Sequence, residues 1–426
     1  MVEWSKQLKK IQSARVLLAG DLIVDSYTIG SVSRISPEAP VPVLHVTEEK
    51  KKAGGAGNVA LGLLSLGMNV TFLSRVGDDE LGEKMKQFFA GKNVNISGLV
   101  TQKNYQTPLK NRMIANHQQI LRVDFETVQA LPKTLEYAII EHIRQVLEGI
   151  DVVAISDYAK GFLSPQILKC LIGEAKLKKI PVIVDPKGSN FSIYNGADII
   201  KPNLLEASTA AKLSSDQSLE KISEALFKKY DFKTLFLTRS EEGISIFEKQ
   251  STKRYDSPAR VREIKDVTGA GDTVLATLCF AIANSFHLSQ AAQLCNFAAG
   301  MAVEHTGCFH VSLSDLFKRL IDNRVMNKLF VEEQIPLLQK ILKNTPCRLL
   351  RMNNCSSLDP KDFENIRELS AKTDAELLVS IGLVDPSFLE MLSSLKEVRF
   401  IIKESDEEKI LDQVEINEVL QEPVSS

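Results

Sequence analysis

The sequence is poor in the features that build metal centres and disulfide frameworks. Its six cysteines (Cys170, Cys279, Cys295, Cys308, Cys347, Cys355) include no CxxC pair, and its six histidines (His45, His117, His142, His287, His305, His310) include no HxxxH or HxH pair. A transition-metal site therefore has little support, and free thiols in a reducing compartment are expected. Net charge is also nearly absent: 52 Lys+Arg against 54 Asp+Glu leave -2, so the overall basic field that gathers nucleic acid is excluded. No apolar run approaches the roughly 20 residues that span a bilayer, and the first residues, Met1 to Ser13, contain no apolar signal-type core. A cytoplasmic protein with neither a nucleic-acid nor a membrane partner is the expectation. No GxxxxGK[ST] occurs, which excludes a P-loop. What is present is ordinary globular composition, 44% hydrophobic and 25% charged over 426 residues, enough chain for two or three domains.

Short β-branched or Leu-rich runs (Val16–Ala19, Val70–Leu73, Val152–Ile155, Val182–Val184, Leu235–Leu237) alternate with amphipathic stretches of helical period. That rhythm predicts an α/β domain with a mostly parallel sheet and helices on both faces. Two segments of different texture, about 27–47 and 107–125, alternate apolar with polar residues and predict strands with one wet face; they are placed as a small β-flap containing His45 and His117. Past Gly307 a charged helical stretch, 313–329, leads to a second, smaller α/β series with strands at Arg348–Met352, Leu377–Ile381 and Val398–Ile402, and an acidic tail from Glu404. The expected division is 1–318, a linker at 319–331, and 332–426.

The sharpest local feature is Asp266-Val267-Thr268-Gly269-Ala270-Gly271-Asp272-Thr273, running straight into the helical VLATLCFAIA. Gly269 and Gly271 permit tight turning and leave the first helical N–H groups aimed outward, which with the positive helix end suits an anion. Asp272 then sits where it can take a proton from an attacking hydroxyl. The competing reading is a well-capped, Gly-bounded helix. A second cluster, Ala53-Gly54-Gly55-Ala56-Gly57-Asn58, formally meets the GxGxxG/A fingerprint, but that motif needs a strand leading directly in, and 47–52 is a charged run. Close packing of Gly54 and Gly55 against a sugar, with the Asn58 amide on its hydroxyls, is the alternative. Asp21 and Asp25 follow the first strand, at the end where α/β ligands bind, and are candidates for substrate hydroxyls. Asn203 and Glu206, three apart on an opening helix, share a face that suits Mg²⁺ held through water. Each of these residues is otherwise a cap or a solvated charge.

Taken together and in order, AGGAGNVALGLLSLG (53–67), KPNLLE (201–206) and DVTGAGDT (266–273) resemble the signatures of the PfkB, or ribokinase-like, family of sugar kinases. GDLIVDSY (20–27), SRISPEAPVPV (33–43), QQILRVDFE (118–126), SDYAKG (156–161), DPKG (185–188) and LTRSEEG (237–243) narrow the resemblance to the kinase domain of the D-glycero-β-D-manno-heptose 7-phosphate kinases, over about residues 8–315. The resemblance implies a ribokinase-like fold and transfer of the ATP γ-phosphoryl to O1 of the heptose 7-phosphate, in lipopolysaccharide core synthesis. It makes Asp272 the catalytic base, Gly269, Ala270 and Gly271 the anion hole, and Asn203 with Glu206 a nucleotide and Mg²⁺ element. Thr238, Arg239 and Asn296 are further nucleotide candidates. ATP and Mg²⁺ are the implied cofactors, with a monovalent cation left open, and a homodimer is the expected assembly. A phosphosugar pocket needs cations for its far dianion, and Arg34, Arg112, Arg122, Lys160 and Lys187 lie in flap or strand-end segments. A PfkB-type kinase for another sugar or nucleoside, or a scaffold that kept only the fold, are the competing functions.

In the bifunctional enzymes this kinase resembles, a nucleotidyltransferase domain with an H-x-G-H element follows. Here Asn353-Asn354-Cys355-Ser356-Ser357-Leu358-Asp359-Pro360 stands at the matching turn, no histidine follows His310, and Gly382 is the only glycine beyond residue 330. The expectation is a degenerate Rossmann-like module without adenylyltransferase activity.

Overall fold

The computed structural model describes residues 11–421 apart from 117, 252, 260–262, 324–327, 343–344, 353–357, 359, 372–374, 383–385 and 413. His117 and, in the C-terminal turn, Asn353, Asn354, Cys355, Ser356, Ser357 and Asp359 thus lie outside the described residues. The chain separates into two compact units, Ser13–Val311 and residues 312–421 together with residues 11 and 12.

In the first unit, strands that are apolar on both faces become the inner strands of a covered sheet, because a strand packed by helices above and below has no wet side. Val16–Ala19, Val152–Ile155 and Val182–Val184 are all buried. The nine strands lie in the order Arg254–Ser257, Ile244–Glu248, Thr234–Thr238, Ile199–Ile200, Val182–Asp185, Val152–Ser156, Arg15–Gly20, Asn69–Gly77, Leu99–Gln102. Pairing is parallel from Leu99–Gln102 through Thr234–Thr238, and a hairpin adds two antiparallel pairings at one edge. The fold is ribokinase-like α/β.

The flap is a separate four-stranded sheet in the order Pro42–Gly55, Leu22–Ile35, Leu109–Ala115, Gln118–Phe125. Its strand Leu22–Ile35 follows the core strand Arg15–Gly20 with only Asp21 between, and Pro42–Gly55 returns to open the helix Ala56–Ser65 directly. This corrects the sequence reading of 47–52 as a strand-free charged run. Residues 48–52 pair with residues 25–29 and are all exposed, and a strand segment exposed along its whole length carries no apolar alternation. The strand entering the glycine cluster belongs to an antiparallel ribbon rather than a βαβ crossover, so the dinucleotide fingerprint lacks its context.

The second unit is a five-stranded sheet, ordered Leu329–Phe330, Phe400–Lys403, Glu376–Ile381, Cys347–Met352, Ile416–Gln421, with every pairing parallel. It is a C-terminal α/β region. The acidic tail expected from Glu404 is instead structured: Glu407–Leu411 is helical, and Ile416–Gln421 forms the edge strand. An edge strand has one unpaired side and tolerates charge, which hides its period from the sequence. No helix among the described residues is long and apolar enough to cross a membrane.

Candidate active site

Parallel strands place all their C-terminal ends on one edge, so Asp21, Asp185, Lys201 and Thr238, each at or just past such an end, converge there. The helix Ala270–Ala283 starts at the same place. Its N-cap, Gly269, has φ 78, a left-handed conformation available to glycine, and contributes no side-chain cap. The Ala270 N–H donates to the Val267 carbonyl at 3.2 Å. Among the described residues, the N–H groups of Gly271 and Asp272 meet no acceptor. Two donors and the positive helix end are thus available to an anion, and Lys201 lies on the same spot: a Cβ built on Gly271 would stand 4.0 Å from its Nζ.

Asp272 is buried in this corner. Its Oδ2 accepts from the Asn58 amide at 2.7 Å and its Oδ1 from the Tyr158 hydroxyl at 2.6 Å. Burial pushes its carboxyl up, while the Tyr158 and Asn58 hydrogen bonds and the Lys201 charge pull it back. Lys201, itself only 3% exposed, pairs with Asp185 at 3.0 Å. Burial raises Asp185 to about 6 against the pull of that ammonium, with Asp272 adding to the rise. His310 joins from the end of the unit, with Nε2 2.9 Å from Asn58 Oδ1, and burial lowers its pKa.

On the side of the strand Thr234–Thr238, Asn203 and Glu206 form a reciprocal capping box on the helix Leu204–Ala211: Asn203 Oδ1 accepts from the Glu206 N–H at 2.8 Å, and Glu206 Oε2 from the Asn203 N–H at 3.1 Å. Lys187 meets Glu206 Oε1 at 3.1 Å. Thr238 bridges to Asn203 in register. Arg239 pairs with Glu242, and its Nε is buried without a partner. The Asn296 amide binds the strand end instead, donating to the Ser257 carbonyl and hydroxyl at 2.8 Å each and to the Pro258 carbonyl at 3.2 Å.

On the flap side, Asp25 forms an ion pair with Arg112 at 2.5 Å, and the Arg112 guanidinium lies 5.5 Å over the Tyr27 ring. Gly54 is required here: a Cβ on it would fall 2.1 Å from Asp25 Oδ2. Gly55 follows with φ 55 at the helix start. Asp21 is spent within the protein: its two oxygens accept the N–H groups of Tyr158, Lys160 and Phe162 at 3.1, 3.0 and 3.2 Å. Lys160 pairs with Glu126 at 2.6 Å and Arg122 with its strand neighbour Asp124 at 2.9 Å. Arg34 is exposed near the end of its flap strand. The structure therefore gathers Asp25, Asn58, Gly54, Gly55, Arg112, Gly271 and Asp272, and leaves Arg34 and Arg122 in exposed positions.

Sequence reasoning passed over Tyr158, Lys201, Asp185 and His310 as site residues. The first three sit inside quoted motifs (SDYAKG, KPNLLE, DPKG), at the C-terminal ends of apolar runs, and that position was the available signal. His310 had none, because its partner Asn58 is 252 residues away.

Comparisons with known proteins identify the family and the fold. The pattern of the pfkB family carbohydrate kinases matches residues 16–315. A bifunctional protein HldE from Geotalea uraniireducens is 35% identical over 411 residues, 94% of this chain and 82% of that protein; one from Campylobacter jejuni subsp. doylei is 39% identical over 378 residues, covering 87% and 77%. Against the HldE of Geobacter sulfurreducens the identity is 41%, and the match spans 70% of this chain and 61% of that protein. Among solved structures, Escherichia coli phosphofructokinase-2 in complex with substrates and products superposes with a TM-score of 0.59 at 20% identity, over 72% of this chain and 97% of that one. Arabidopsis thaliana ribokinase complexed with ribose and ATP gives 0.58 at 19%, over 72% and 99%. The chain belongs to the pfkB family of carbohydrate kinases, as a homologue of the bifunctional HldE proteins.

Proposed function

We propose that the first unit transfers the γ-phosphoryl of ATP to O1 of D-glycero-β-D-manno-heptose 7-phosphate, giving the 1,7-bisphosphate for lipopolysaccharide core precursors. The observation that carries this reading is the buried Asp272 carboxylate set beside open amides and the Lys201 ammonium at one helix start. Asp272 takes the proton of the attacking hydroxyl; the Gly271 and Asp272 amides and Lys201 offset charge on the migrating group, since positioning and electrostatics dominate phosphoryl transfer. Asp25, Asn58 and the close-packed Gly54 and Gly55 would face the sugar, and Arg112 and Lys160 offer cationic charge for the distal phosphate. Thr238, Arg239 and Asn296 border the nucleotide end.

Asn203 and Glu206 are the residues that would hold Mg²⁺ through water, since the ion keeps most of its water and needs few carboxylates; Glu206 would do so while its oxygens meet the Asn203 N–H and Lys187. When bound the ion would neutralise phosphate charge. The flap carries exposed Ile35, Val41, Val46, Ile120 and Leu121, an apolar surface that supports a homodimer built through the flap; light scattering on wild type and on an Ile35→Ser/Leu121→Ser variant tests it, with a dimer surviving both changes counting against the flap. For the second unit we propose a degenerate nucleotidyltransferase-like module without adenylyltransferase activity, because no histidine follows His310 and Gly382 is the only glycine beyond residue 330.

The deciding experiment follows ADP release with heptose 7-phosphate, fructose 6-phosphate and ribose. Preferred turnover of the heptose supports the assignment; faster turnover of ribose sinks it in favour of a neutral-sugar kinase.

A further inference from the structure

Tyr158 lies on a loop that the fold holds at unusual cost. Asp21 binds three of its backbone N–H groups, those of Tyr158, Lys160 and Phe162. From the other side Arg75 donates to the Lys160 carbonyl at 2.5 Å and the Gln129 carbonyl at 2.6 Å, with its guanidinium 4.0 Å over the Tyr105 ring. Asp21 and Arg75 are each 2% exposed, and burying charge is expensive unless it is fully engaged. Between the anchored residues, Ala159 adopts φ 54, which L-residues with a Cβ avoid. These costs converge on one result, the aim of the Tyr158 hydroxyl at Asp272 Oδ1, 2.6 Å away.

The opposite oxygen is fixed as firmly. Asn58 donates to Oδ2 at 2.7 Å, and its own carbonyl oxygen faces His310 Nε2 at 2.9 Å. An amide that gives its N–H to a carboxylate presents its oxygen to the histidine, so His310 carries a proton on Nε2. Tyr158 remains a phenol at working pH, since burial and the neighbouring Asp272 push it well up. The other groups facing Asp272 are Lys201, which favours the carboxylate, and Asp25 and Asp185, which oppose it; Cys308 also lies close, its thiol raised by burial.

We propose that Tyr158 is a positioning residue that, opposite the His310–Asn58 pair, clamps the Asp272 carboxylate and keeps it ionised for the sugar hydroxyl. One lone pair on each oxygen is then taken, and the remaining ones are left for substrate. As the sugar oxygen bonds to the γ-phosphorus, its proton passes to Asp272, the bond from phosphorus to the β,γ-bridging oxygen breaks, and the electron pair leaves on ADP. Tyr158 keeps its proton throughout. The inference rests on the reading of Asp272 as base.

The test compares pH profiles of kcat/KM for wild type and Tyr158→Phe with ATP, Mg²⁺ and whichever sugar of the panel wild type turns over fastest. A lost hydrogen bond to a charged group should move the acid limb up by about one pH unit, a loss of roughly tenfold below the limb, with KM for ATP unchanged. A limb that stays in place, whatever the rate, overturns the proposal. Should the phenylalanine variant fold poorly, a fluorinated tyrosine at 158, a stronger donor, must move the limb down instead. Carboxyl-carbon NMR of Asp272, assigned by Asp272→Asn, reads the same displacement without turnover. A fully active Asp272→Asn removes the underlying base assignment, while an Asp272 titration unaltered by Tyr158→Phe removes the clamp alone.

Discussion

The two units handle buried charge in opposite ways. In the first, the strand ends gather Asp21, Asp185, Lys201 and, across from them, Asp272, of which only Lys201 and Asp185 are paired as ions. In the second, four of the five strands end on Phe330, Met352, Ile381 and Lys403, the first three buried and apolar. Two of its buried charged residues are met by ion pairs: Arg348 reaches Glu418 of the neighbouring strand at 3.3 Å, and Glu407, on the helix Glu407–Leu411, pairs with Arg351. Both sheets are apolar inside, so a dry core does not distinguish them. The difference lies in whether the strand ends keep chemistry whose burial must be offset by hydrogen bonds, as Asp272 does, or give it up for ordinary closure.

Breaking the charged corner should give the largest effect. Asp272→Asn is expected to lose about 10²–10⁴-fold in kcat while retaining nucleotide affinity, measured by steady-state ADP release and calorimetry. Its thermal stability at pH 7 should not fall through lost charge, because the charged carboxyl is the form that burial disfavours. Next comes Gly54→Ala, which drives a methyl into Asp25 and should raise the sugar KM by about tenfold or more while sparing the ATP KM; equal effects on both substrates would show that the glycine shapes the whole corner rather than its flap side. Glu206→Gln separates cap from metal role. The amide can still accept from the Asn203 N–H, so Tm should hold, whereas the Mg²⁺ concentration for half-maximal rate should rise about tenfold. A fall in Tm with unchanged Mg²⁺ dependence would make this residue a cap alone. The smallest expected signal is in the second unit: incubation with heptose 1-phosphate and ATP should release no pyrophosphate above background, and release would erase the contrast between the units.

Much of the fold was legible because periodicity reports burial. Runs apolar on both faces became inner strands, and VLATLCFAIA became a helix buried nearly all round. The charged strand segment at 48–52 was not legible because it is exposed throughout, and the edge strand Ile416–Gln421 because its half-buried face, Ile416, Glu418 and Leu420, carries a charge while apolar Val419 lies exposed. The site divided in the same manner. Gly269, Gly271 and Asp272 were visible as a local motif whose geometry depends on adjacent residues. Asp21 was correctly placed at a strand end, yet its oxygens serve the 158–162 loop, a use decided by a segment 137 residues away.

The order of residues alone thus determined the alternating α/β architecture, the flap texture, the glycine-bounded helix start and the loss of histidine and glycine from the C-terminal region. All of these follow from neighbours within a turn or a strand. Only the tertiary structure decided that Tyr158 and Asn58 hold the two oxygens of Asp272, that His310 stands behind Asn58, and that Lys201 lies buried beside the open amides. Hydrogen bonds and ion pairs of this kind join strand ends far apart in the chain, and their partners are chosen by the registers of a sheet that forms only when the whole unit folds.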